Sequence, residues 1–367
     1  MSARPQVVFC TDGIFPHAIG GMQRFARLLI ESLATAGQIE IVVIHPHRDV
    51  RIFEAFPEVK ELYVDPLPGK RNYLTELYVY SKQVFTLLKD YPKAWIYSQG
   101  LSVWYKAGTL RKRLIIHPHG LEPFQVLTRK EKLKTFPLRI TLAWLFNKAG
   151  RVISLGGKLT GIIQSHILRK DTQVVVIPNA TLIPAEFAKA PAGENTIRCL
   201  FVGRFAYNKG IDVLMAAITN LGEAASKFHF TLAGKGELYE AYRERYAAEN
   251  IDFLGFVTDE QLSQLYKTQD LFVLPTRFEG MPTVVLEAMA HQMPVIVSDV
   301  GASAELVDAQ NGYLIPPGSE SALTEALLHF AGQTPEARQQ LGTNSLRRVE
   351  ESYTWPQVAA AHLKLFT

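Results

Sequence analysis

The chain has 367 residues, 47% of them hydrophobic and 20% charged, which predicts two globular domains and excludes a disordered or fibrous protein. The formal net charge of +4 hides an asymmetry: residues 1–185 hold 25 Lys and Arg against 13 Asp and Glu, and residues 186–367 hold 14 against 22. A basic half joined to an acidic half bears on partners rather than on fold.

In chain order, short β-branched runs alternate with helical patterns. Gln6–Cys10, Ile39–His45, Ala94–Tyr97, Leu114–His117, Arg151–Leu155 and Gln173–Ile177 read as strands of the first half. Ile197–Val202, Phe228–Ala233, Ile251–Leu254, Asp270–Leu274 and Pro294–Val297 read as strands of the second. Amphipathic segments lie between them, among them Met22–Ala36, Ile211–Leu221, Glu237–Ala248, Asp259–Lys267 and Thr283–His291. This alternation predicts βαβ crossovers and parallel sheets of the doubly wound α/β class, with strands apolar on both faces. Residues 179–195, with Pro184, Pro191 and Gly193, lack periodicity and read as a linker. The expected domains are 1–185 and 186–352, with 353–367 a terminal helix returning to the first. Such sheets bind ligands at the C-terminal ends of their strands, in a cleft between the two domains.

Cys10 and Cys199 each sit in an apolar run and are expected to be buried free thiols. No signal-peptide core follows Gln6, and no stretch approaches the ~18 apolar residues that span a bilayer. The expected location is cytoplasmic, free or peripheral on the cytoplasmic face of a membrane.

Chemistry concentrates after two strands of the second half. Gly203-Arg204-Phe205 follows Ile197–Val202, and Asn208-Lys209-Gly210 opens the next helix. A guanidinium fork and a point charge beside a helix N-terminus suit a diphosphate, although an ordinary βα turn with two exposed cations gives the same pattern. Farther on, Arg277-Phe278-Glu279-Gly280-Met281-Pro282-Thr283 leads into a helix that carries Glu287. With Glu279 in the loop, both carboxylates can face one cleft and accept bonds from sugar and ribose hydroxyls. The start of that helix offers N–H groups to phosphate oxygens. Glu287 has apolar neighbours, so its carboxylate needs a partner.

Together, Gly203-Arg204…Lys209-Gly210, the Glu279-x7-Glu287 pair, Gly255-Phe256-Val257, and Gly301-Ala302-Ser303-Ala304-Glu305-Leu306 with Asn311-Gly312 resemble the GT4 family of retaining glycosyltransferases. The resemblance runs nearly end to end, more strongly in the second half. It implies the GT-B fold and a nucleotide-diphosphate sugar as donor, UDP favoured over GDP. Arg204 and Lys209 would meet the diphosphate, Glu279 the donor sugar with Gly280 and Met281 beside it, and Glu287 the ribose. Pro282 and Thr283 would complete that loop, and Gly255, Phe256 and Val257 would line the base. In the first half it implies that Gly20-Gly21 is the glycine-rich loop near the phosphates and that His119 lies beside the donor sugar and acceptor. Two departures are Ala302, where many members have glycine, and Lys235 in Gly234-Lys235-Gly236, where many have an acidic residue.

His117 and His119 form a pair, but without a third or fourth ligand no metal site is expected, and no cofactor. The chemistry implied is front-face transfer with retention through an oxocarbenium-like sugar, driven by positioning and by positive charge on the leaving group.

Arg111-Lys112-Arg113 and Arg129, Lys130, Lys132 and Lys134 cluster cations in the first half. Pro137–Lys148 places Leu138, Leu142, Leu145 and Phe146 on one helical face, with Ile140 and Trp144 off it. This reads either as a core helix with a solvated basic flank or as a surface for anionic lipid, with Trp144 at the interface. The acceptor expected is a lipid-linked or other glycan in cell-surface polysaccharide assembly. Nucleic acid is not expected as a partner. The alternatives are a sugar-nucleotide epimerase of the same fold and a non-catalytic sugar-nucleotide-binding subunit. A dehydrogenase is disfavoured, because no G-x-G-x-x-G follows the first strand.

Overall fold

The computed structural model describes residues 4–67, 69, 72–126, 128–185 and 196–367. The chain divides into two compact units, one of Met1–Asn179 with Trp355–Thr367 and one of Ala180–Thr354. Of the expected linker, residues 186–195 lie outside the described residues.

The first unit has seven strands: β1 (Gln6–Cys10), β2 (Glu40–His45), β3 (Lys60–Tyr63), β4 (Trp95–Gln99), β5 (Leu114–His117), β6 (Arg151–Ser154) and β7 (Gln173–Val176). They lie in the order β3-β2-β1-β4-β5-β6-β7, every pair parallel. The helices are α1 (Gly21–Ala36), α2 (Tyr73–Leu88), α3 (Glu122–Gln125), α4 (Arg129–Phe146) and α5 (Gly157–His166). The second unit has β8 (Ile197–Val202), β9 (Phe228–Ala233), β10 (Ile251–Gly255), β11 (Leu271–Leu274), β12 (Val295–Ser298) and β13 (Gly312–Ile315). Their order, β10-β9-β8-β11-β12-β13, is again all parallel. Its helices are α6 (Ile211–Asn220), α7 (Tyr239–Tyr246), α8 (Asp259–Thr268), α9 (Thr283–Ala290), α10 (Ser303–Leu306), α11 (Glu320–Ala331) and α12 (Pro335–Ser352). The last helix, α13 (Trp355–Leu363), belongs to the first unit.

Both sheets grow outward from their first strand in two directions, so right-handed crossovers put helices on both faces. Central strands β5, β11 and β12 are accordingly buried along their whole length. Two strands not expected from sequence, β3 and β13, are edge strands with mixed burial, and neither carries a long apolar run. α13 packs on α1, with Phe25 5.4 Å from the Trp355 ring. Among the described residues, no helix is long and apolar enough to cross a membrane.

One helix carries both the basic run and the apolar segment of the first half. α4 begins at Arg129, eight residues before Pro137. Thr128 accepts from the Glu131 N–H while the Glu131 carboxylate takes the Thr128 N–H, so a capping box starts the helix. Pro137 is carried inside it.

Candidate functional site

In the second unit the chain leaves the sheet in opposite directions after β8 and β11, which are neighbours, so the loops after them flank a topological switch point. Several contacts tie these loops together. Asn208 O accepts from the Arg277 N–H and the Thr276 hydroxyl, each at 2.8 Å. The Arg277 guanidinium donates to Tyr207 O at 2.7 Å and to both Asp212 oxygens at 2.7 and 2.6 Å, and lies 3.8 Å from the centre of the Tyr207 ring. Gly210 has φ 68°. A Cβ there would sit 1.9 Å from Pro275 O, so no larger residue lets the loops meet this closely. Arg277 is thus a clamp, and sequence gives no sign of its partner Asp212, which lies 65 residues earlier on α6.

Two expected site residues meet across this point. The Lys209 ammonium and the Glu279 carboxylate form an ion pair, both side chains mostly buried. Arg204 is exposed and makes no side-chain hydrogen bond or ion pair among the described residues. Behind Glu279 lies the loop after β12, where the Ala302 N–H donates to Gly280 O at 2.9 Å. Gly301 has φ 56°, and its Cβ would lie 2.3 Å from the carbonyls of Glu279 and Gly280. Alanine at 302 keeps its N–H, so the departure from a glycine pair leaves this support intact.

Met281 and Pro282 are buried, and α9 starts at Thr283 with no side chain capping it. Its first N–H groups therefore remain available to an anion. Glu287, about one turn inside α9, accepts from the Tyr266 hydroxyl at 2.9 Å, the partner its apolar surroundings demanded. At the same sheet edge Gly255 ends β10, Val257 is half-buried and the Phe256 ring is exposed. The Lys235 chain lies over Gly255, 3.3 Å from where a Cβ would be. Asn311-Gly312 is different. It begins β13 at the opposite sheet edge, and the buried Asn311 amide donates to Leu306 O at 3.0 Å, a structural role.

In the first unit, Gly20 and Gly21 open α1 after β1, again without a side-chain cap. His119 follows β5 with φ 60° and stacks on His117, ring centres 3.8 Å apart. Burial, and then the nearness of His362, push the His119 imidazole down to about 3, so it is neutral in ordinary buffers. The Tyr97 hydroxyl bridges His117 Nδ1 at 2.7 Å and His362 Nε2 at 3.0 Å. His362 Nδ1 lies 2.8 Å from Val358 O. A neutral His362 donates to that carbonyl, so it accepts from Tyr97, which in turn accepts from His117. That leaves His117 Nε2 an acceptor. The Nε2 atoms of His117 and His119 are buried and have no partner among the described residues. Sequence did not single out Asp12, just past β1. Its Oδ1 is likewise buried without a partner among the described residues, and burial raises its carboxyl above the usual carboxylate range.

The basic residues of this unit do not form one patch. Arg111 donates to Ala149 O and Thr172 and pairs with Asp171, and Arg113 donates to Tyr91 O and Ala94 O at 2.6 and 2.9 Å. Both guanidiniums thus hold partners inside the unit. Lys112, Arg129, Lys130, Lys132 and Lys134 are exposed, as is Trp144.

Comparison with known proteins decides the family. The model for glycosyl transferases group 1 matches residues 196–333, and that for Glycosyltransferase Family 4 matches 19–181. The chain belongs to the group 1, family 4 glycosyltransferases. The chain is 31% identical over 173 residues to the uncharacterized glycosyltransferase MJ1607 of Methanocaldococcus jannaschii, covering 46% of this chain and 44% of that one. Over 140 residues it is 36% identical to the putative teichuronic acid biosynthesis glycosyltransferase TuaC of Bacillus subtilis, 36% of this chain and 32% of that one. Over 212 residues it is 29% identical to O-antigen chain mannosyltransferase C of Escherichia coli, 56% of this chain and 52% of that one. The matches thus span about half or less of these relatives.

Its fold is that of a sucrose-phosphate synthase from Thermosynechococcus elongatus, TM-score 0.82 at 21% identity over 99% of this chain and 98% of that one. It is also that of HepE of Anabaena, solved with UDP and glucose, TM-score 0.69 at 18% identity over 98% of both. The architecture is GT-B.

Proposed function

We propose that this glycosyltransferase moves a sugar, with retention of anomeric configuration, from a nucleotide-diphosphate sugar to a lipid-linked or other glycan acceptor in cell-surface polysaccharide or glycoconjugate assembly. The observation that carries the reading is the Lys209–Glu279 pair at the switch point, a cation and a polyol acceptor held side by side. In the resting site each neutralises the other. A bound donor gives both a better partner, the diphosphate for Lys209 and the sugar hydroxyls for Glu279. Arg204 adds a second cation and the start of α9 adds N–H groups, so the mechanism assigns no step to a metal ion.

Glu287, oriented by Tyr266, takes the ribose hydroxyls, and Gly255, Phe256 and Val257 take the base. UDP is favoured over GDP, a preference supported by the UDP bound in HepE. His119, neutral and wedged against His117, is assigned to the donor sugar and acceptor, with Gly21 near the phosphates. In the transfer the bond from the anomeric carbon to the phosphate oxygen breaks. The acceptor oxygen bonds to the same face, and its proton passes to the departing phosphate. Retention follows without a protein nucleophile.

The relatives named for teichuronic acid and O-antigen chains support a cell-surface glycan as product. A lipid-borne acceptor places the enzyme on the cytoplasmic face of the inner membrane. The test incubates the enzyme with UDP- and GDP-sugars, with and without a polyprenyl-diphosphate-linked glycan. NMR then reads the new linkage. Acceptor-dependent release of the nucleoside diphosphate with unchanged anomeric configuration is expected. Conversion of the donor with no acceptor present would mark an epimerase instead.

A further inference from the structure

We propose that the outer face of α4 is a ridge that inserts into an anionic lipid surface. This goes beyond the donor site and does not depend on what that site binds. The apolar face expected from sequence turns out to be the inner one: Leu142, Leu145 and Phe146 are buried in the unit. A second apolar stripe runs along the other side. Leu133, Phe136, Ile140 and Trp144 are 78%, 54%, 52% and 41% exposed. At ~100° per residue these four fall within an arc of about 80°, opposite the buried three. A helix packed by one face has no need of a second apolar face, and a contiguous exposed one marks an interaction surface.

The charges around the stripe name its occupant. α4 carries Arg129, Lys130, Lys132, Lys134 and Arg139 against a single carboxylate, Glu131, which is held in the capping box. On the helical wheel Lys130 and Lys134 flank the stripe on one side, and Lys132 and Arg139 on the other. Lys148 lies 5.4 Å from the centre of the Trp144 ring. The ridge continues past the helix. Asn147 accepts from the Leu168 N–H at 2.7 Å, which brings the fully protruding Leu168, followed by Arg169 and Lys170, to the end of α4. Apolar and aromatic side chains between two rows of cations match an interface of acyl chains beneath anionic headgroups. An acidic protein would meet the cations but would leave Leu133, Phe136 and Ile140 without an apolar counterpart.

The test is flotation with vesicles of phosphatidylglycerol and phosphatidylcholine, against vesicles of phosphatidylcholine alone, at low and high salt. Wild type is expected on the anionic vesicles at low salt and released as salt rises. The variant L133S/F136S/I140S, at positions that touch little of the core, is expected to bind at least about tenfold more weakly, and K130E/K132E/K134E likewise. Blue-shifted Trp144 emission on binding, absent in W144F, reports insertion. Both multiple variants are expected to keep the wild-type melting temperature and nucleotide binding, which separates this proposal from the donor-site reading. Equal flotation of wild type and L133S/F136S/I140S would overturn it. So would a change from dimer to monomer in that variant with wild-type lipid binding, which would make the ridge a self-association face.

Discussion

Lys209 and Glu279, 70 residues apart in sequence, form an ion pair where the loops after β8 and β11 meet. Opposite charges in one small site restrain each other until a ligand supplies both kinds of partner, so removing either one has a distinct consequence. Lys209→Ala should lower kcat/KM by about 10²–10³ and weaken nucleoside-diphosphate binding, because the leaving-group cation is gone. Glu279→Ala should lower kcat/KM by about 10² yet leave nucleoside-diphosphate binding unchanged or tighter, because Lys209 is released. Steady-state kinetics with calorimetric binding of the diphosphate separates the two. The double variant should cost less than the sum, as for residues that act together.

The clamp beneath that pair is a separate matter. Asp212→Ala removes both carboxylate contacts to Arg277 and leaves a mostly buried guanidinium whose remaining partner among the described residues is Tyr207. Asp212 is about one-third exposed, so the expected loss is a modest 1–2 kcal/mol or so in urea unfolding. The KM for the donor should rise, because the Lys209 loop is no longer tied to its neighbour. Arg277→Lys in the otherwise wild-type chain should weaken the clamp in the same direction, since an ammonium cannot make the paired contact to Asp212.

The doubly wound pattern was legible because buried parallel strands are apolar along their length, and most expected strands end within a residue or two of the observed ones. What escaped were half-exposed edges such as Lys60–Tyr63. Within the candidate site, Arg204, Lys209 and Glu279 stood out in the loops that follow strands, and Glu287 as a carboxylate on an apolar helix. Their partners did not. Asp212 for Arg277 and Tyr266 for Glu287 are chosen by the order of strands in the sheet, which no local pattern encodes. On α4 the pattern was ambiguous, because apolar residues lie on two opposite faces and only packing shows which one is buried.

Tyr266 offers the next prediction. Tyr266→Phe deletes one hydrogen bond to the Glu287 carboxylate and little packing. Loss of roughly 1 kcal/mol of orientation should weaken nucleotide binding about fivefold. Calorimetry with the nucleoside diphosphate checks it, and Glu287→Ala should be worse.

The buried histidines set a pH dependence. Burial lowers His117, His119 and His362 below the ordinary imidazole value of 6.5, with neighbouring imidazoles adding to the effect on the first two. His119 is pushed to about 3 and His362 to about 4. The folded state therefore refuses protons that the unfolded chain accepts. Their contribution to stability is full above pH 6.5 and is lost as pH falls from there toward 4 and 3. The urea midpoint should fall through this window, less steeply in His362→Met. Equal slopes would contradict the assignment. Over pH 6.5–8.5 no titration of His119 should appear in kcat/KM.

The most direct test of the central claim is a thermal-shift panel of UDP- and GDP-sugars against wild type and Lys209→Ala. A ligand at about 100 times its dissociation constant stabilises the folded state by ~2.7 kcal/mol, a shift of several degrees. At least one nucleotide-sugar should raise the wild-type midpoint by that much and raise the variant's far less. No shift with any nucleotide-sugar, or an equal shift in both proteins, would contradict a donor diphosphate held by Lys209.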